Sequence, residues 1–221
     1  MNIKEGIEKR FSVRAFTDEV PSMEIIIEIL KTANSAPSGG NIQPWKVYVL
    51  NEKSKSKLAK KTLHNFDTGV QEEIEYDIYP KPLADEYKKR RYECGADMYN
   101  ALSIEKDDLD SRFKQIRENY NFFGAPLGMI ITIDRSFGNN GWGHVGMFLE
   151  NLWLSAIHHG LGLCLQESWS IYPKTVKEAI KHPDNEIVSC GSAIGYEDKN
   201  DPINNYRTKR EKIDSFVKFI E

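Results

Sequence analysis

Ala36-Pro37-Ser38-Gly39-Gly40-Asn41-Ile42-Gln43-Pro44-Trp45 is the stretch on which the reading of this chain turns. Pro37 and the two glycines end whatever precedes them and expose backbone, Asn41 and Gln43 add amides, and Trp45 closes the loop with an aromatic. Upstream, Arg10-Phe11-Ser12-Val13-Arg14 sets two guanidinium groups around one hydroxyl. Guanidinium forks and a hydroxyl suit a phosphate, while amide and backbone groups suit the polar edge of a flat ring. Each piece alone reads equally as a basic helix end or a Pro/Gly loop. Together they point to an anionic, planar ligand.

The chain has 221 residues, 40% hydrophobic and 29% charged, which predicts one globular domain over residues 1–221 with room for a sizeable core. A formal net charge of -3 argues against a general polyanion binder such as a nucleic-acid protein. No apolar run approaches the roughly 20 residues that span a bilayer. Met1-Asn2-Ile3-Lys4-Glu5 turns polar at once, without the apolar centre of a signal peptide. Cys94, Cys164 and Cys190 are widely spaced and form no metal-like cluster. A reduced, cytoplasmic protein without a metal is expected.

Hydrophobic spacing predicts a short helix over residues 2–10 and a buried one capped by Ser22 and reaching about Asn34. Trp45 to Leu50 reads as a strand, and 54–63 as an exposed, Lys-rich helix. From 72 to 92 the pattern weakens around Pro80 and Pro82, which suggests an excursion that lids a site or packs on a partner. Helices are expected at 93–103 and 106–119, the latter with the acidic run 105–110 at its positive end. Leu127 to Asp134 is nearly unbroken in its apolar character, as in a central strand covered on both faces. Residues 142–159 are apolar almost all round, so this helix is buried in the domain or against another chain, and Gly160 stops it. A strand at 161–165, a helix from Pro173 through Lys181 and a strand at 187–194 follow. The last segment carries Ile213, Phe216, Val217, Phe219 and Ile220, which need cover.

Side-chain catalytic signatures are missing: the chain has no nucleophile elbow, no P-loop and no Gly-x-Gly-x-x-Gly. His158 and His159 are adjacent on a helix and face different directions, and His144 beside Trp142 reads as structural. Without an acid–base or nucleophilic constellation, a cofactor is the natural carrier of any reaction.

These segments resemble, in order and over nearly the full length, the FMN-dependent nitroreductase family. Arg10, Ser12 and Arg14 match its first basic segment, which implies contacts to the FMN phosphate and ring. Pro37, Ser38, Gly39 and Asn41 match the loop that reaches the flavin of the neighbouring subunit. Gly160 to Trp169 matches the segment lying along the reactive ring edge, which implicates Gln166, Glu167 and Ser168; many members carry Gly where this chain has Ser168. Asp201 to Arg210 resembles the segment whose basic residue completes the phosphate site, with Arg210 favoured over Arg207. Cys164 to Trp169 and Asn121-Phe122-Phe123-Gly124-Ala125-Pro126 are similar to the nitrobenzene and nitrobenzoate reductase branch. Phe122, Phe123 and Trp169 then either stack on an aromatic substrate or serve as core.

The resemblance implies an α+β fold, a mixed, mostly antiparallel sheet surrounded by helices, in an intertwined homodimer. It implies an enzyme that takes hydride from NADH or NADPH onto FMN and reduces a small aromatic acceptor, nitroaromatic or quinone-like, by a ping-pong scheme. Reductive dehalogenation, flavin destruction and enone reduction are alternatives on the same fold, as is non-catalytic storage or sensing of FMN.

Overall fold

The computed structural model describes residues 2–220; Met1 and Glu221 lie outside the described residues. Its sheet has four strands in the order β1 (Trp45–Leu50), β2 (Leu127–Asp134), β4 (Glu186–Gly195), β3 (Gly162–Gln166). Every ladder among the described residues is antiparallel. The parallel component expected of a mixed sheet is confined to one isolated bridge, Ser12 to Leu163, on the outer edge of β3. β2 and β4 lie inside the sheet and are buried along almost their whole length, so both read as unbroken apolar or small-residue runs.

Alternation along β2 splits the core into two layers. Met129, Ile131 and Ile133 face one side, where Ile26 and Ile29 of α2 (Met23–Ala33) and Phe148 and Leu152 of α6 (Asn139–His158) pack against them. Ile130 faces the other side, with Leu58 of α3 (Glu52–Asp67), Val176 of α7 (Pro173–Ile180) and Trp169. Each fully buried side chain of this size contributes about 1.5–3 kcal/mol. The short α1 (Ile3–Lys9) is held at its start by a reciprocal cap between Asn2 and Glu5. Ser22 caps α2, accepting from the Ile25 N–H.

The second layer depends on two glycines. A Cβ at Gly128 would meet the Phe122 ring at 2.6 Å, and one at Gly191 would meet the Trp169 ring at 2.1 Å. The two rings occupy that space and stack on one another with centroids 4.4 Å apart. Phe122 and Phe123 both take left-handed backbone, φ 52° and 51°, ahead of Gly124 at φ 74°. Such a conformation costs roughly 1–2 kcal/mol per non-glycine residue. Burial of the two rings offsets it, and Lys55 Nζ holds the next turn by donating to the Ala125 carbonyl.

The excursion differs from its sequence reading. Residues up to 84 are irregular, but α4 runs Asp85–Ala101 rather than starting at 93. Its first turns have no apolar stripe; good helix formers, Asp85 and Glu86 in the first turn and the ion pairs Glu86–Arg90 and Lys89–Glu93 sustain them. No residue of α4 is buried. The earlier part of the excursion is tied to its own chain: Glu72 accepts from the Lys174 and Thr175 N–H groups at the start of α7, and Tyr76 OH donates to the Ser189 carbonyl at 2.6 Å. α5 spans Leu109–Arg117, with Asp108 as its cap. The tail is uncovered within one chain, Phe216 being 72% and Ile220 90% exposed.

The glycine contacts yield a stability test. Gly191→Ala should overpack the Trp169 seat and cost about 1–3 kcal/mol in urea unfolding. Gly95→Ala, in a helix with open space around the added methyl, should instead be neutral or stabilise by up to about 1 kcal/mol.

Candidate active site

The end of β3 and the segment beside it form the centre of the site. The Val13 N–H donates to the Leu163 carbonyl at 3.1 Å, laying residues 10–14 along the strand edge. Gly162 permits this approach: a Cβ there would meet Val13 Cγ2 at 2.6 Å. The Arg14 N–H donates to Asn204 Oδ1, and the Asn204 amide donates to the carbonyls of Ala15 and Asp198, each at 2.8 Å. Asn204 is buried, so one side chain fastens the basic segment to the 198–205 turn. Three segments far apart in sequence meet here.

The basic side chains are held by aromatic faces. Arg10 lies 4.5 Å from the Trp153 ring centre, with Glu150 3.8 Å from its Nε. Arg14 lies 6.0 Å from the Phe123 ring centre. Burial pushes the Cys164 thiol up, against the opposing pull of Arg14 and Ser12. Arg207 sits 3.4 Å over the Phe11 ring and donates to the Asn204 carbonyl, which joins it to the 10–14 segment. Arg210, which the sequence reading favoured, is exposed and donates to Thr208 within its own loop.

Beyond Gln166 the chain turns tightly through Glu167–Ile171. Gln166 donates to the Asn119 carbonyl at 2.6 Å. Ser168 Oγ is buried and has no hydrogen-bond partner within the protein. An unsatisfied hydroxyl at this turn suits the polar edge of a bound ring, and the guanidinium groups of the segment on the edge of β3 suit its phosphate; the residues present therefore fit FMN.

Glu167 opens on a cavity of about 530 Å³ that also touches Tyr76, Trp142, Ser189 and Cys190. Partial burial raises the Glu167 carboxyl above the usual glutamate range. Burial pushes the Tyr76 phenol to about 12, and burial with the nearby Glu167 charge pushes the Cys190 thiol to about 12. Both stay neutral at physiological pH. Tyr76 and Trp142 pack with ring centres 4.8 Å apart. Tyr76 was not singled out from sequence; a Tyr in a stretch without periodicity carries no spacing that would mark it.

Phe122, Phe123 and Trp169 are corrected from substrate-stacking candidates to core. All three are buried, and Trp169 is held between Phe122 and Gly191, so no flat acceptor reaches its face. The Pro37–Asn41 loop is well formed: Ser38 Oγ accepts from the Gln43 N–H at 2.9 Å, and Gly40, Asn41 and Gln43 all have positive φ. It packs elsewhere, however. Gly39 faces the His144 ring at the start of α6, whereas Arg10 contacts Glu150 and Trp153 further along. At 1.5 Å per residue, His144 and Trp153 stand about 13 Å apart along the axis. One chain does not bring this loop to its own Arg10.

Among the described residues no group of His, Cys, Asp and Glu could hold a metal ion, and no helix is long and apolar enough to cross a membrane.

The sequence profile of the nitroreductase family matches residues 7–196. A 4-nitrobenzoate reductase of Nocardioides sp. (strain LMS-CY) is 34% identical over 217 residues, 97% of this chain and 88% of that one. A nitrobenzene nitroreductase of Ectopseudomonas oleovorans is 29% identical over 219 residues, 99% of this chain and 96% of that one. The crystal structure of the FMN and NADPH-dependent nitroreductase NfnB from sphigopyxis sp. strain HMH superimposes with a TM-score of 0.96 at 33% identity, covering 100% of both chains.

The raised Glu167 carboxyl has a signed consequence. An acid whose pKa is higher folded than unfolded favours the fold below its ordinary pKa and loses that contribution as pH rises through the folded value. Glu167→Gln, neutral throughout, should gain stability relative to the parent as pH rises above the ordinary glutamate value of about 4.3. Urea midpoints of the two proteins along the pH axis check this; parallel pH profiles would contradict it.

Proposed function

Because the chain belongs to the nitroreductase family, we propose that it works as an FMN-dependent NAD(P)H oxidoreductase on nitroaromatic or quinone-like acceptors. The observation that carries this reading is the meeting of the Arg10–Arg14 segment, the start of β3 and the Asn204 turn, with the unsatisfied Ser168 hydroxyl in the turn that follows the same strand. Held by these residues, FMN would supply the redox chemistry that links NADH or NADPH to the acceptor.

The chain's own residues bind and orient. Arg10 and Arg14, with Arg207 and Arg210 from the last segment, neutralise the phosphate, and Ser12 adds a directional hydrogen bond. Gln166 holds the turn through Asn119, and the Glu167 and Ser168 backbone N–H groups would stabilise negative charge developing at the reactive ring edge. Ser168 in place of Gly leaves the amide free to donate and adds the unsatisfied hydroxyl. Tyr76 and Trp142 form the apolar wall of the cavity in which a flat acceptor is held.

We read the functional unit as a homodimer of one-domain chains. Pro37, Ser38, Gly39 and Asn41 would serve the site of the second copy, which answers their distance from Arg10 along α6. The exposed tail from Ile213 supports the same view, since a partner would cover it. Residues 72–92 are an excursion that walls the cavity from Tyr76 and continues outward in α4. The free thiols of Cys94, Cys164 and Cys190 support a reducing, cytoplasmic setting.

Anaerobic addition of NADH or NADPH to the flavin-loaded protein should bleach its visible bands, and a nitroaromatic should restore them. A bound flavin that neither nucleotide reduces would turn the reading to storage or sensing. Arg10→Ala combined with Arg210→Ala should weaken FMN binding by about a hundredfold or more, measured by fluorescence on the apoprotein. Arg207→Ala in the Arg10→Ala background separates the two tail arginines: the larger loss marks the phosphate ligand.

A further inference from the structure

α4 has two unlike faces. Arg90, Cys94 and Asp97 share one of them and meet the last segment: Arg90 Nε is 2.9 Å from Glu211, Tyr206 OH donates to the Cys94 carbonyl at 2.9 Å, and Lys209 is 3.2 Å from Asp97. Lys88, Arg91 and Tyr99 fall on the opposite face by helical spacing. Together with Tyr92 and Arg112 of α5 they line a cavity of about 320 Å³ that no acidic side chain enters.

The cations there are preset. The Arg91 guanidinium lies 4.2 Å over the Tyr79 ring, and the Arg112 guanidinium 4.3 Å over Tyr99. Arg112 Nε donates to the Glu105 backbone carbonyl at 3.2 Å, which fixes its plane without neutralising its charge. Among the described residues neither guanidinium is ion-paired with a carboxylate. Lys88 pairs only with Asp85, whose side chain is 98% exposed. An exposed pair of this kind is weak and exchanges readily.

We propose that the α4–α5 cavity binds the phosphomonoester of a phosphorylated nucleotide, the 2′-phosphate that distinguishes NADPH from NADH. This rests on the NAD(P)H oxidoreductase reading and deepens it. Two stacked guanidinium forks and an ammonium match a dianion, whereas a monocarboxylate would leave most of that charge unanswered. Tyr92, 64% exposed, offers a face to the adenine beside it. The far face of α4 leans on the arm that carries Arg207 and Arg210, so the helix ties the cavity to the segment that meets residues 10–14. The excursion thus supplies nucleotide discrimination from a helix that contributes nothing to the core.

The test is calorimetry on the flavin-loaded protein with 2′,5′-ADP and 5′-AMP as probes. The former should bind at least about tenfold tighter, and Arg112→Gln or Arg91→Gln should each cut that advantage about tenfold. Arg91→Lys, which keeps the charge but not the fork, should recover part of it. Arg91 is exposed, so its variants test the pocket without disturbing the core. In turnover, the KM for NADPH should rise relative to that for NADH while the NADPH kcat holds. Equal binding of the two probes by the parent, an advantage that survives both substitutions, or benzoate displacing 2′,5′-ADP at similar concentration would overturn the proposal. Failure of the oxidoreductase reading looks different: the flavin would resist both nucleotides while the calorimetric preference for the 2′-phosphate remained.

Discussion

The seating of Trp169 over Gly191 is the constraint from which the site follows. Gly191 stands in the middle of a buried strand, where any side chain would collide with the indole, and Phe122 closes the other face of the ring. The indole N–H lies 3.4 Å from Gln166 Oε1, and Gln166 in turn reaches the Asn119 carbonyl. The tight turn after β3 is therefore pinned at both ends to rigid sheet. Glu167 and Ser168 between those pins have little freedom, so the fold sets their backbone. Left-handed backbone at Phe122 and Phe123 is the cost of placing one aromatic layer so close to the strands, and dispersion across the stacked rings offsets it.

The same sheet recruits the basic segment by a second close approach. Val13 fits over Gly162, the edge strand gains a partner, and Asn204 satisfies three backbone groups at once. An exposed edge would otherwise be left open to pairing with other chains. Arg10 and Arg14 leave this edge on neighbouring turns of extended chain, each steadied by an aromatic ring. Guanidinium groups kept in place this way lose less entropy when they meet an anion. The Pro37–Asn41 loop is equally rigid yet lies on another part of α6.

The fold was largely legible in the sequence because its strands are buried and short. Trp45–Leu50 and Leu127–Asp134 coincide with their sequence boundaries, and β3, β4, α2 and α7 fall within a residue or two. The basic segment and the Pro/Gly loop stood out in the sequence through residue chemistry, and the basic segment is the one this chain brings to β3 and Asn204. Two things were not. α4 starts eight residues earlier than expected, since its early turns rest on ion pairs and leave no hydrophobic period to read. The aromatics were misassigned because Phe122, Phe123 and Trp169 carry the same composition whether they face a substrate or a glycine across the sheet, and only tertiary contact decides. Tyr76 and Trp142 show the converse: two rings far apart in sequence became a cavity wall through the excursion's path.

Division of labour follows from where burial ends. The β2–β4 ladder and its two packed layers fix the ring-edge turn and the basic edge, and substitutions there disturb stability as well as binding. α4 has no buried residue and touches the last segment through an ion pair, a tyrosine hydroxyl and a lysine. Its sequence can therefore vary at little cost to the core. Polar contacts of this kind fix orientation more than they add stability. A charged helix of that sort can change its selectivity without repacking the turn after β3. The tyrosine-backed cations on its outer face fit such a role, because the rings hold their geometry without requiring the helix to be buried.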